Sequence, residues 1–373
     1  MKKRFLTISL AMTLTIATAL TGCAPGSKDS GNNSGKKVEY SKNIPEKIAK
    51  DSDGVKIMVI RKIGGDDHTA QYLAGAKKEG ESMGFKVDTF TANGDTAKFH
   101  DAINQAMEKG YDGVIISHGD DAATVEAVKK LNDKKIPVVT FDSNADISKV
   151  SGVSMTSQDD ESLAKLALEE LKKQTNGQAE IAYLWVDGFP PMVSRNKVYT
   201  QFLKDNAGIK EVDRFGVVTS DTSVQTQNAV SAMLTKYPKG KLTAVFATWD
   251  AFAVGAARAI QEANRTDVKL VGIDVSNADL QVMQQEGSPW VATAAVDPKL
   301  IGAVNLRILA KKIAGEKTPE SYKLEASLIT QEQLKKAGKA VNMDTLSEIV
   351  PNWGKSDAFL ESWMKELKDQ FKK

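Results

Sequence analysis

The chain has 373 residues, of which 41% are hydrophobic and 26% are charged, and its net charge is +2. This is an ordinary globular composition with room for two domains of roughly 150 residues each, and the near-neutral charge gives no electrostatic support for nucleic-acid binding. The single cysteine excludes an intramolecular disulfide, and the three histidines show no metal-ligand spacing.

Residues 1–22 predict a secretory signal peptide. Residues 1–4 are a basic start, and residues 5–20 form the short apolar core that such a signal requires. The ending Leu-Thr-Gly-Cys resembles the bacterial lipoprotein box, in which the cysteine is lipidated and becomes the mature N-terminus. Since the only cysteine, Cys23, lies there, we expect an extracytoplasmic protein that is lipid-anchored to the cell membrane, rather than an ordinary cleaved signal. Residues 23–53, rich in Gly, Ser, Asn and Lys, predict a flexible tether.

From residue 54 the pattern alternates between apolar runs and amphipathic stretches. Strands are predicted at residues 55–60, 85–90, 113–117, 137–141, 179–186, 212–218, 243–247, 269–273 and 290–295. Helices are predicted at residues 71–83, 98–108, 121–132, 160–174, 224–237 and 251–263. Fully apolar strands that alternate with helices favour α/β architecture with doubly wound parallel sheets covered on both faces.

One phrase occurs twice along the chain. "VVTFDSNAD" and "LVGIDVSNAD" are both β-branched runs that stop at an aspartate, Asp142 and Asp274. Each follows a matching strand–helix unit, which indicates two similar Rossmann-like lobes. Ligands of open parallel sheets bind beyond the carboxyl ends of the strands, so the residues that follow each strand are the candidates for a site. No glycine-rich dinucleotide or phosphate-binding loop occurs at a strand end, and no cofactor is predicted.

Five segments together carry a family resemblance. "AGAKKEGESMGF", "IPVVTFDSNA", "AVFATWDAFAVGAARAI", "LVGID" and "IGAVNLRILAKKIAGEK" resemble bacterial periplasmic-type sugar-binding proteins of the ribose/galactose class, which are receptors of ABC importers. The resemblance implies the periplasmic binding protein type I fold, with two lobes joined by three crossings that we place near residues 155–157, 295–298 and 324–328. The lobes are then residues 54–155 plus 297–324, and residues 156–296 plus 325–373.

The resemblance also implies a set of ligand-binding residues at the strand ends. Asp142, Asp274 and Arg195 match positions that contact the sugar in the family, whereas Trp249 stands where ribose binders often have a polar amide. The full set of expected contacts is Asp66, His68, His118, Asp142, Arg195, Asp221, Trp249 and Asp274. Each has a plainer alternative: aspartates also cap turns, arginines are mostly exposed, and a tryptophan after a strand can belong to the core.

Some positions depart from the ribose-binding pattern. Ser143 stands where ribose binders usually have arginine, and Asp66, Asp67 and His68 replace an expected aromatic pair. We therefore predict a sugar or sugar-like polyol other than ribose, with a nucleoside or a signalling molecule as alternatives. We expect a monomer that is not an enzyme and that delivers its ligand to an ABC permease.

Two rival functions remain open from sequence. A sensory lipoprotein would present the same ligand to a membrane receptor. A carbohydrate-active enzyme would use the two carboxylates as acid and base, although an arginine between them favours their ionised forms. The amphipathic C-terminal stretch "DAFLESWMKELKDQF" predicts a helix that packs on the second lobe or, as the alternative, binds a partner.

Overall fold

The computed structural model describes residues 39–50 and 54–372, which belong to one compact unit. The strands are β1 (Lys56–Arg61), β2 (Lys86–Thr91), β3 (Gly113–Ser117), β4 (Val138–Phe141), β5 (Ser154–Gln158), β6 (Ala179–Leu184), β7 (Ile209–Phe215), β8 (Ala244–Ala247), β9 (Lys269–Ile273), β10 (Trp290–Ala295), β11 (Ser321–Leu324) and β12 (Ser327–Thr330). The helices are α1 (Asp67–Ser82), α2 (Thr96–Glu108), α3 (Ala122–Asp133), α4 (Asp160–Gln174), α5 (Pro190–Asp205), α6 (Thr222–Lys236), α7 (Asp250–Glu262), α8 (Asn277–Gln284), α9 (Pro298–Ala314), α10 (Gln331–Lys336) and α11 (Ser362–Gln370).

The strands form two six-stranded sheets with the same design. Their orders are β11-β5-β4-β3-β1-β2 and β12-β10-β9-β8-β6-β7, and every pairing is parallel except that of β10 with β12. The central strands β3 and β8 are buried along their whole length. This burial is the reason that they read as continuous apolar runs. The predicted pair of doubly wound lobes is confirmed.

Three of the chain crossings that join the lobes lie close to the predicted places. The first follows β5, because α4 packs against β9 and β10 of the second sheet. The second lies between β10 and α9, which packs along α1 of the first lobe. The third lies between β11 and β12, which pair with β5 and β10 respectively.

Three strands were not predicted, and all three lie at these crossings. β5 reads Ser-Met-Thr-Ser-Gln, and its burial alternates between full and partial. β11 and β12 have four residues each. Short polar strands beside a hinge lack the apolar run that marks the other strands in the sequence.

The C-terminal helix differs from the sequence prediction in its position. α11 packs on the first lobe, where Lys368 Nζ lies 2.6 Å from Glu79 Oε1 of α1 and Lys311 of α9 pairs with Glu361. The chain reaches this place by a fourth crossing, which leaves the second-lobe core at Trp353. The apolar stripe of a helix predicts that it packs but does not identify the surface that receives it.

The predicted tether also differs from the structure over residues 39–50. Ile44 and Ile48 are buried with the core of the first lobe, and Gln370 of α11 donates to the Glu39 carbonyl at 3.0 Å. The signal peptide, Cys23 and the rest of the tether lie outside the described residues. Among the helices of the described part, none combines the length and apolar character that crossing a membrane requires.

Candidate ligand-binding site between the lobes

The two repeated aspartates occupy equivalent places at the carboxyl ends of β4 and β9. Both have left-handed backbones, with φ of 45° at Asp142 and 76° at Asp274. The Asp142 amide donates to the Thr156 carbonyl of the neighbouring strand at 3.0 Å. The Asp274 amide donates in the same way to the Ala294 carbonyl at 2.9 Å. This shared turn directs both carboxylates toward the cleft between the lobes.

A cavity of about 70 Å³ lies between the lobes, which is room for several water molecules or a small ligand in their place. Both lobes and the hinge contribute to its wall. The lining residues are Arg61, Ile63, Asp66, His68, His118, Asp120, Asp142, Gln158, Phe189, Pro190, Pro191, Met192, Arg195, Val218, Trp249 and Asp274.

Arg195 organises the second-lobe side of the cavity. Its Nε donates to Asp160 Oδ1 at 2.9 Å, and its Nη1 donates to the Thr248 carbonyl at 2.5 Å and contacts Asp274 Oδ2 at 3.4 Å. Burial by itself lowers the pKa of Arg195, but Asp274 and Asp160 outweigh it and raise that pKa. The guanidinium therefore stays charged, and its main donors are used inside the protein.

Arg61, at the end of β1, organises the first-lobe side. It donates to Thr69 Oγ1 at 3.0 Å and Ser117 Oγ at 3.1 Å, and its Nη2 lies 3.4 Å from His68 Nδ1. The guanidinium also stacks over the ring of Tyr72, at 4.8 Å from its centroid. In contrast to Arg195, Arg61 has no carboxylate among its hydrogen-bond partners in the described part of the chain.

Three buried polar atoms of the cavity have no hydrogen-bond partner among the described residues: Asp142 Oδ1, Gln158 Oε1 and His68 Nε2. Burial, with the charge of Arg61, lowers the pKa of His68, so its imidazole is neutral. An arginine only donates, so Nδ1 accepts from Arg61 and Nε2 carries the proton. The cavity thus offers one free donor and two free acceptors. Because an unpaired buried polar atom is costly, these three atoms indicate a polar ligand.

The pKa of Asp142 is raised well above its usual value. Burial is the main cause, and the nearby charge of Asp160 adds to it despite the opposing effect of Arg195. A hydroxyl that donates to Asp142 replaces part of the solvation that the carboxylate lost on burial.

A comparison with known protein families assigns the chain to one of them. The family model of the periplasmic binding protein domain matches residues 57–317 of the sequence. The chain belongs to this family. Among curated relatives, the ribose import binding protein RbsB of Salmonella typhimurium is 28% identical over 263 residues, which cover 69% of this chain and 84% of that protein. The D-ribose/D-allose-binding protein of Pseudomonas aeruginosa is 30% identical over 250 residues, which cover 65% and 74%.

Solved structures of periplasmic binding proteins agree with this assignment. A sugar ABC transporter protein from Yersinia enterocolitica is 48% identical with a TM-score of 0.83, over 89% of this chain and 100% of that one. A 5-methylthioribose transporter solute-binding protein from Thermotoga lettingae, solved with 5-methylthioribose, is 34% identical with a TM-score of 0.79, over 85% and 99%. These likenesses confirm the predicted type I fold. The curated relatives are import binding proteins and not enzymes, in agreement with the prediction that this chain is not an enzyme.

The structure brings most of the predicted contact residues of this periplasmic binding protein together. Seven line the cavity: Asp66, His68, His118, Asp142, Arg195, Trp249 and Asp274. Asp221 does not. It is exposed at the start of α6, where it accepts from Thr219 Oγ1 at 2.8 Å and Gln225 Nε2 at 2.8 Å. These hydrogen bonds hold Asp221 in place after the short polar loop that follows β7. Its side chain lines a groove outside the cavity.

Sequence reasoning missed two kinds of lining residue. Arg61 and Gln158 are polar, but the first was not singled out although it directly follows the predicted strand 55–60, and the second lies in the unpredicted β5. The apolar wall formed by Phe189, Met192 and their neighbours carries no chemical signal that distinguishes it from core. The one usable sign was position, since residues 187–195 follow β6 and all strand ends of a lobe face the same cleft.

Proposed function

We propose that this protein is an extracytoplasmic solute-binding lipoprotein that captures a small sugar or sugar-like polyol between its lobes and delivers it to an ABC permease. The observation that carries the proposal is the set of three unpaired polar atoms, Asp142 Oδ1, Gln158 Oε1 and His68 Nε2, in one interlobe cavity. They come from the first lobe and from the hinge, so one ligand can contact both.

The chemistry of these atoms suits a polyhydroxy ligand. Each hydroxyl of a sugar can donate and accept a hydrogen bond, and a carboxylate or amide oxygen accepts well. Asp142 and Gln158 would accept from ring hydroxyls, and the neutral His68 would donate to a third oxygen. Trp249 and Phe189 offer flat apolar surface to the C–H face of a ring.

The names of the relatives support the same ligand range. They bind ribose or allose, and one neighbour holds 5-methylthioribose. A ribose-like neutral sugar is therefore the ligand class that we propose for this chain.

Contacts across the cleft support a closing mechanism. Asp67 Oδ2 of α1 accepts from the Asn277 amide at the start of α8, at 2.8 Å. Gln158 Nε2 of the hinge lies 3.4 Å from Asp274 Oδ1. A ligand held from both sides would add to these contacts and shift the lobes toward the closed shape that a permease recognises.

A binding measurement tests this function. Calorimetric titration with a panel of pentoses and hexoses should find a ligand, and Asp142→Asn should weaken its binding about 10- to 150-fold, the cost of one hydrogen bond to a charged group. Asp221→Asn is the matched control, because that aspartate lies outside the cavity, and it should leave affinity unchanged. Equal affinity of the Asp142 variant would remove this residue from the site.

Delivery and anchoring need separate tests in cells. Loss of the protein should abolish uptake of the radiolabelled ligand; unchanged uptake with loss of a transcriptional response would favour the sensory alternative. Labelled palmitate should be incorporated into the wild type and not into Cys23→Ala, and incorporation into the variant would contradict the anchor.

A further inference from the structure

The cavity has two chemically different ends. At the hinge end, Asp142 and Gln158 face both this cavity and a second pocket beside β5, and both have an unpaired oxygen. At the other end the cavity opens into an outer groove of about 870 Å³. Ile63, Phe189 and other residues line the cavity and this groove together.

The polar side chains at the groove end already have partners within the protein. Asp66 Oδ1 accepts from the Thr69 amide at 2.6 Å and so caps α1. Asp120 is paired with Lys62. His118 Nδ1 lies 2.8 Å from Ser117 Oγ. The three unpaired buried atoms of the cavity are elsewhere, two of them at the hinge end.

The second-lobe wall at the groove end is apolar. Phe189, Val218 and Trp249 form it, and Pro191 and Met192 continue it inward. Val218 is 40% exposed, and it is one of only three exposed large hydrophobic residues in the described part of the chain. An apolar side chain held open at the mouth of a binding cleft gains stability when a ligand covers it.

From this asymmetry we infer that the preferred ligand is a neutral sugar with an apolar substituent, bound with its hydroxyls at the hinge end and its substituent against Phe189, Val218 and Trp249. The inference rests on the proposed function and specifies its ligand class. The open groove beyond this wall leaves room for substituents longer than one methyl group.

The same geometry argues against a phosphorylated sugar. Arg61 and Arg195 each donate from at least two guanidinium nitrogens to protein partners, and Lys62 pairs with Asp120 at the mouth. The groove end also presents the Asp66 and Asp120 carboxylates. A phosphate there would meet negative charge and no cation free of a protein partner among the residues that line the cavity.

A homologous ligand series tests the inference by calorimetry. Ribose is compared with its methyl, ethyl and propyl 5-thioethers, with the corresponding alkyl ribosides, and with ribose 5-phosphate. In one of the two alkyl series affinity should rise about fourfold for each buried methylene, and the phosphate should bind more weakly than ribose. Ribose that binds as tightly as every alkyl derivative would overturn the inference and leave the proposed function intact. Binding of no sugar at all would contradict the proposed function itself.

Two valine variants assign the effect to the wall. Val218→Ser should weaken binding of the best alkyl derivative about three- to tenfold while changing ribose affinity less than twofold. Val193→Ser is the matched control, because Val193 is 51% exposed and does not line the cavity. An equal loss for ribose and its alkyl derivative in Val218→Ser would place the substituent elsewhere and contradict the proposed orientation.

Discussion

The two lobes have the same backbone fold, but the equivalent strand-end aspartates make different contacts in each. Asp142 and Asp274 end equivalent strands with the same left-handed turn and the same amide hydrogen bond to the neighbouring strand. Arg195 and Gln158 contact the two carboxylate oxygens of Asp274, whereas Oδ1 of Asp142 has no partner among the residues that the structure describes. The duplicated strand end therefore carries a carboxylate that is bound to protein partners in one lobe and a free acceptor in the other.

This difference divides the work of binding between the lobes. The second lobe supplies a saturated ionic network and an apolar wall, which give shape and rigidity. The first lobe and the hinge supply the unpaired donor and acceptors, which give direction. The second-lobe side of the site is therefore preorganised, whereas the first-lobe side has hydrogen-bonding atoms that still need partners. A ligand that supplies these partners is favoured over water.

The largest expected effect separates the two buried arginines. Arg195→Met leaves Asp160 and Asp274 buried without their cation and should lower the free energy of unfolding by about 3–5 kcal/mol. Arg61→Met leaves only neutral groups without their hydrogen-bond partner and should lower the free energy of unfolding by about 1–3 kcal/mol. Urea denaturation measures both.

The exposed Arg214→Met is the control for this pair. It loses its contact with Glu211 near the surface and should change stability by less than about 1 kcal/mol. Equal losses for the Arg61 and Arg195 variants would show that the lobes do not differ in the way described.

A second contrast is the layer formed by α11 and residues 39–50, which packs on the first lobe. Trp363→Ala removes a buried side chain of α11 whose Nε1 donates to Glu316 Oε1 at 2.7 Å, and it should cost about 3 kcal/mol. Hydrogen exchange should rise in residues 39–50 and in β2 and stay unchanged in β7. Lys365→Ala, on the exposed face of the same helix, should alter neither. Equal deprotection of both lobes would contradict a layer specific to the first.

The sequence predicts the frame of the molecule well because buried parallel strands are continuous apolar runs. Three strands, 113–117, 269–273 and 290–295, and the helix 160–174 have the predicted bounds. The hinge strands and the place of α11 could not be predicted in this way, since the former are short and polar and the latter depends on which apolar surface lies within reach.

The site was predictable where chemistry and position coincide. Asp142 and Asp274 combine a charged residue with a strand end, and both lie in the cavity. Arg61 directly follows the predicted strand 55–60 but was not singled out, and Gln158 lies in a strand that the pattern does not show. The apolar wall could not be predicted from the sequence, because residue types such as those at Phe189 and Met192 occur in cores as well as in ligand pockets.

A smaller effect concerns the pH dependence of the free protein. Burial raises the pKa of Asp142 in the folded state above its unfolded value, so the unfolded chain releases this proton first and unfolding becomes easier as pH rises between the two values. Asp142→Asn should therefore stabilise the ligand-free protein by about 1–2 kcal/mol at pH 8 and by less at pH 4. Urea unfolding at both pH values checks this, and Asp101→Asn, at an exposed position of α2, should leave the difference in stability between them unchanged. A variant that is less stable than wild type at pH 8 would mean that the carboxylate is well solvated.

The smallest effect concerns the contact that joins the lobes across the cleft mouth. Asp67→Ala removes the acceptor of the Asn277 amide and should weaken the closed form by less than about 1 kcal/mol, because this hydrogen bond is exposed to solvent. Since closure is coupled to binding, ligand affinity should fall about two- to fivefold through faster dissociation, with the association rate unchanged. Stopped-flow fluorescence of Trp249 would measure both rates. Asp101→Ala, on α2 away from the cleft, is the control. A slower association with unchanged dissociation would show that Asp67 guides the ligand in rather than holding the lobes together.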